Sequence, residues 1–130
     1  MHLLTKRSLL LTASLIVTFI FLRVSLYISP NSNFDVAGYN IHHLYTGVVI
    51  LTLAAIPLLF IQATGRIINI LMIAFGVGLS LILDEWVYLI ATDGSDTAYL
   101  SSVSLWGAII VIALTSVYIL FIAWLTKRNH

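Results

Sequence analysis

Four long stretches of this chain are almost wholly apolar, at about residues 8–28, 42–62, 67–90 and 102–125. At about 1.5 Å rise per residue, each is long enough to cross a hydrocarbon layer about 30 Å thick. Nothing else in the sequence constrains the fold as tightly. Of the 130 residues, 61% are hydrophobic and 8% are charged, against about 45–50% apolar and about 25% charged in soluble domains. A soluble domain of this size hides only about two-thirds of its surface, so lipid must be the solvent for most of the chain. The expected fold class is all-α: an integral membrane four-helix bundle forming a single transmembrane domain, with the lipid bilayer as its first partner.

Composition also excludes functions. A net charge of +1 provides no electrostatic footprint for nucleic acid. With no cysteine, disulfides, thiolate zinc sites and thiol redox chemistry are ruled out. The breakers fall between the apolar stretches: Pro30 with Asn31, Ser32 and Asn33, then Gly65-Arg66, then Asp93-Gly94-Ser95-Asp96. Pro57 lies inside the second stretch and is expected to kink it. Lys6-Arg7 before Leu9–Leu22 has the order of a signal peptide, but the bulky Arg23-Val24-Ser25-Leu26-Tyr27 offers no cleavage site, so a retained helix is expected.

Lys6 and Arg7 precede the first span, Arg66 lies between the second and third, and Lys127 and Arg128 follow the fourth; the other two loops carry no Lys or Arg. Positive residues stay in the cytoplasm, so the expectation is N-in/C-in in a plasma (inner) membrane. Trp86, Tyr88, Tyr99 and Trp106 then mark the outer boundary and Trp124 the inner one.

All five acids, Asp35, Asp84, Glu85, Asp93 and Asp96, fall in the outer half, with His42, His43 and the intramembrane Arg23. Acidic residues hardly influence insertion, so this one-sidedness needs another cause. Asp84 and Glu85 are followed by six more apolar or aromatic residues, Trp86 to Ala91. That sinks the carboxylates roughly 10 Å below the helix end, where an ionised side chain costs up to about 2.5–3.5 kcal/mol. Such groups face the bundle and find partners. The competing reading ends the third span at 83 and leaves the pair solvated in the headgroup layer.

His42 and His43 open the second span at the same level. Imidazole nitrogens beside carboxylate oxygens suit a divalent metal such as Zn, Mn or Fe, so His42, His43, Asp84 and Glu85 are the candidate ligands. Arg23, Asp35, Tyr45 and Tyr88 are candidate partners around them, and Tyr99 is a third phenol within reach of the acids. No H-E-x-x-H or E-x-x-H motif closes a metal site. Arg23 argues against the metal, because an Arg–carboxylate pair would neutralise the acids without one. No residue reads as a catalytic nucleophile, and Ser101, Ser102 and Ser104 read as caps of the fourth span.

Ala74-x-x-x-Gly78 and Gly76-x-x-x-Ser80 allow close helix approach, within the bundle or against a second copy or another membrane protein. Three function classes follow: an outward-facing His/carboxylate site that binds a metal, a structural or partner-binding membrane subunit without ligand, and proton or ion handling. The third is weakened by the inner half, where Val48–Phe60 and Ile67–Leu83 contain only Thr52, Asn69 and Ser80 as polar residues.

Overall fold

A computed structural model describes residues 3–30, 35–61 and 65–129, with the backbone alone for Leu3, Leu4, Asp35, Tyr39 and Asn40. Residues 31–33 of the first breaker lie outside the described residues. Four helices are long and apolar enough to cross a membrane: α1 (Leu3–Ile28), α2 (His43–Phe60), α3 (Arg66–Ala91) and α5 (Ser102–Arg128). A one-turn helix, α4 (Asp96–Tyr99), precedes α5, and β1 (Asp35–Val36) pairs antiparallel with β2 (Tyr39–Asn40).

The helices outrun the apolar stretches at the basic end. α1 already contains Lys6 and Arg7, and α5 runs on through Lys127 and Arg128. Hydropathy stops at the last apolar residue, whereas Lys and Arg are good helix formers and carry the coil into the polar layer. Pro57 lies within α2, which remains one helix from His43 to Phe60.

The short elements were not expected. Ala37 and Gly38, with φ of 52° and 81°, turn the chain between β1 and β2, the positive-φ pair that a two-residue hairpin turn needs. The Asp93-Gly94-Ser95-Asp96 turn also caps a helix, since Ser95 accepts from the Ala98 N–H and starts α4.

Glycine decides which helices meet. A Cβ on Gly76 would lie 2.6 Å from the Leu11 carbonyl of α1, and one on Gly78 would lie 2.6 Å from the Leu51 amide of α2. Two positions apart on a helix is about 200°, so α3 presents one small residue to each side and draws a neighbour onto each. Gly47 returns the contact from α2, and Gly107 of α5 abuts Val87 of α3. The small-residue pattern therefore serves packing within the chain.

α3 is the hub. It touches α1, α2, α4 and α5, and α1 also touches α5, whereas the backbone of α2 comes close to α3 alone among the described helices and its His43 ring reaches Tyr99 of α4. The bundle closes through α1, α3 and α5, with Leu15, Leu83 and Ile112 at its centre and Phe19, Leu79 and Val111 against them. α2 is a satellite rather than a fourth wall. Side chains facing away from these contacts are apolar and open, with Leu53 68%, Phe60 81% and Val117 65% exposed. Water would not tolerate so large an apolar surface, and a bilayer does.

Candidate functional site

One helical step beyond Leu83, the core changes from hydrocarbon to charge. Asp84 and Glu85 are 0% and 3% exposed, so they are enclosed by protein and not the solvated surface pair of the competing reading. Both stay inside because α3 continues to Ala91, and α1, α4 and the start of α2 each bring a partner to them.

Asp84 is the centre. Its Oδ1 accepts from Arg23 Nε of α1 at 2.6 Å, and its Oδ2 meets His43 Nε2 of α2 at 2.9 Å. The Tyr99 hydroxyl of α4 donates to the same Oδ2. Glu85 sits beside it. Oε1 meets His42 Nδ1 at 3.0 Å and His43 Nδ1 at 3.5 Å, while Oε2 accepts the Leu44 backbone N–H at 2.8 Å. Adjacent carboxylates on a helix diverge by about 100°: Asp84 reaches the α1, α4 and α5 side, and Glu85 holds the first turn of α2. His43 spans both, one ring nitrogen on each.

Arg23 distributes its donors widely. Nη1 donates to the Tyr99 carbonyl at 3.3 Å and to Ser104 Oγ at 3.2 Å, and Nη2 donates to the Asp84 carbonyl at 3.2 Å and to Ser104. Its guanidinium carbon lies 4.4 Å from the centre of the Tyr99 ring, a cation–π contact. The fork geometry of arginine is what allows one side chain to join α1, α3, α4 and α5. Rings close the remaining gap: Tyr88 and Tyr99 meet edge to face at 5.2 Å, and His43 lies against Tyr99 at 5.8 Å.

Of the residues singled out by sequence, His42, His43, Asp84, Glu85 and Arg23 converge. Tyr88 is buried beside them, with its ring 6.0 Å from His42, but its hydroxyl donates to the Gly94 and Ser95 carbonyls and so pins the turn before α4. Tyr45 is 59% exposed, and the Asp35 side chain lies outside the described residues. Sequence reasoning placed Tyr99 within reach but not as the principal phenol. It gave Ser104 the role of a cap, whereas Ser101 caps α5 and Ser104 accepts from Arg23. The Leu44 amide was missed altogether; only its place in the first turn of α2, where backbone N–H groups lack helical partners, could have suggested it.

Burial, and after it the neighbouring Asp84 carboxylate, raises the Tyr99 phenol above its ordinary pKa. At the surface, hydrogen bonds from Ser95 hold Asp93 below the usual carboxylate value. Among the described residues, no group of three or more His, Cys, Asp or Glu side chains is arranged to hold a metal ion. The reason is visible in the contacts, since the oxygens a metal would need already face Arg23, the histidines, Tyr99 and a backbone amide.

No protein-family model, no curated protein and no solved structure matches the chain. The fold and site together define a multi-pass α-helical membrane protein with a buried His/carboxylate ion-pair cluster at one end of its helices.

Proposed function

We propose that this chain is a non-catalytic membrane subunit, and that its cluster is a clasp holding α1, α2, α4 and α5 to α3. The observation that carries this reading is saturation: each of the four carboxylate oxygens of Asp84 and Glu85 has a donor or imidazole partner from another part of the chain. A buried ion pair contributes little net stability when complete, but removing one partner costs about 3–5 kcal/mol, because the other charge is left stranded. Such a device enforces one arrangement of helices more than it strengthens it.

Proton handling fits less well. Below the cluster the core is closed by Leu15, Leu83 and Ile112. The buried hydroxyls of Thr12, Ser80 and Ser116 are hydrogen-bonded neither to one another nor to the cluster among the described residues. A divalent ion such as Zn, Mn or Fe would have to displace existing partners of the acids.

In this reading the clasp lies at the outer face of a plasma membrane, with both termini in the cytoplasm. Two features support that orientation. Lys6, Arg7, Arg66, Lys127 and Arg128 belong to the opposite end of the helices, and exposed Tyr27, Tyr45, Trp86 and Trp106 ring the clasp end as interfacial aromatics do. Because the chain has no cysteine, single cysteines at Thr97 and Asn129 report orientation directly. In intact cells an impermeant maleimide should label the first and spare the second.

Metal content and thermal unfolding in mild detergent test the clasp. Wild type should hold no stoichiometric ion and unfold at the same temperature with or without chelator, while Glu85→Gln unfolds earlier. A stoichiometric ion in wild type that His43→Ala and Glu85→Gln both lose would overturn the clasp in favour of a metal centre.

A further inference from the structure

A net charge of +1 conceals a separation of charge along the bundle. Lys6, Arg7, Arg66, Lys127 and Arg128 lie at one end of the helices with no acid among them, while all five acids and Arg23 lie at the clasp end. There Asp84 and Glu85 are paired with Arg23, His42 and His43. Lys6, Arg66, Lys127 and Arg128 are exposed and have no carboxylate partner among the described residues. The positive-inside rule accounts for the cations, but Asp and Glu hardly affect insertion, so it leaves the absence of acids beside them unexplained. Helix ends add charge of the same sign. α1 and α3 both start here with no acid in the first turn, and Gly65 offers α3 no side-chain cap, so two positive dipole ends meet the same layer.

Depth selects the partner. Lys6 and Arg7 lie in the first two turns of α1, Arg66 opens α3, and Lys127 and Arg128 close α5, so each cation sits on a helix beside an apolar stretch. The Arg128 guanidinium carbon lies 5.5 Å from the centre of the Trp124 ring, a cation–π contact with an aromatic suited to the membrane interface. Such placement puts the charges in the headgroup layer rather than on a tail that extends into water. The anion concentrated at that depth is the phosphate of an acidic phospholipid, and a membrane surface of such lipids attracts each nearby Lys or Arg by about 1 kcal/mol.

We propose that the basic end is a docking rim for the headgroups of acidic phospholipids, with Lys127 and Arg128, beside Trp124, among its principal contacts. The rim rests on the membrane-spanning fold and not on the clasp function. Two single-tryptophan proteins test it. Trp86→Phe with Trp106→Phe leaves Trp124 at the basic end, and Trp86→Phe with Trp124→Phe leaves Trp106 at the clasp end; all three indoles are about half exposed or more, so these replacements spare the core. In phosphatidylcholine vesicles, quenching by phosphatidylglycerol brominated near the glycerol is compared with quenching by phosphatidylcholine brominated at the same carbons. The acidic lipid should be enriched about fivefold at Trp124, the ratio that about 1 kcal/mol gives, and should show no enrichment at Trp106. Lys127→Gln with Arg128→Gln, or about 1 M salt, should bring the Trp124 ratio down towards unity. Equal quenching by the two lipids at Trp124, the same enrichment at Trp106, or an enrichment that the double Gln variant leaves unchanged would overturn the rim. Loss of the enrichment to soluble poly-glutamate at matched ionic strength would overturn its assignment to lipid in favour of an acidic protein.

Discussion

α2 and α3 are both apolar enough to cross a membrane, yet they occupy opposite positions in the packing. α3 buries nine residues between Ile68 and Tyr88, while α2 buries only Gly47 and Ala54. The difference does not come from hydrophobicity, since lipid accepts an apolar side chain as readily as a protein core does. It comes from the residues that lipid does not accept and from those that leave room. α3 carries the two sunken acids, a buried serine and two glycines that open opposite faces to neighbours. α2 meets α3 along one close seam, where Gly47 and Leu51 face Gly78, and brings the acids only the polar groups of its start, His42, His43 and the Leu44 amide. In a membrane, polar and small residues locate the hub, and apolar ones report only the solvent.

The largest expected effect separates hub from satellite. Asp84→Ala strands Arg23 and should cost about 3–5 kcal/mol, whereas Leu53→Ala on the open face of α2 should fall within about 0.5 kcal/mol of wild type. Both are read as unfolding free energies in detergent, and equal losses would break the hub-and-satellite distinction. Next comes the seam between the two helices. Gly78→Ala brings a methyl against the Leu51 amide and Gly47→Ala brings one against the Gly78 carbonyl, each an overpacking of about 1–3 kcal/mol. Because they press on the same contact, the double variant should lose less than the sum of the two, and strict additivity would place them at separate seams.

A smaller effect should attend Tyr99→Phe, which removes one donor from Asp84 and should cost about 1 kcal/mol at neutral pH. The raised phenol pKa adds a signature. Its stabilising contribution is complete below the unfolded value of about 10 and is lost as pH rises above it, so the alkaline fall in melting temperature should be shallower in Tyr99→Phe than in wild type. Parallel alkaline curves would mean that Tyr99 ionises as an exposed tyrosine does. The smallest change belongs to the exposed turn. With its pKa lowered by Ser95, Asp93 contributes above about pH 3.9 and loses that contribution as pH falls below it. Asp93→Asn should flatten this acid limb and lower the neutral melting temperature slightly, because the contribution that the limb loses is present at neutral pH.

Much of the site could be read without coordinates because burying a charge in hydrocarbon is so costly. Asp84, Glu85, Arg23, His42 and His43 shared a level, but Arg23 could equally have snorkelled to the headgroups and the acids could have ended there, and the structure puts Arg23 on Asp84 and the histidines on both acids. Choosing among phenols was different. Tyr45, Tyr88 and Tyr99 all lie near the same depth, and which one reaches Asp84 depends on helix rotation and on the Ser95-capped turn that starts α4. The same holds for Ser104, whose sequence position suits a cap and whose hydroxyl serves Arg23.

By itself, then, the sequence determined the solvent, the number of spans and the depth of the ionisable groups, since each follows from the transfer free energy of side chains one position at a time. Only the tertiary structure decided that α3 is central, that α2 packs mainly on it among the described residues, and that the acids use their oxygens on protein partners. Those outcomes depend on which faces meet, and faces that are apolar all round carry no periodic signal to say so.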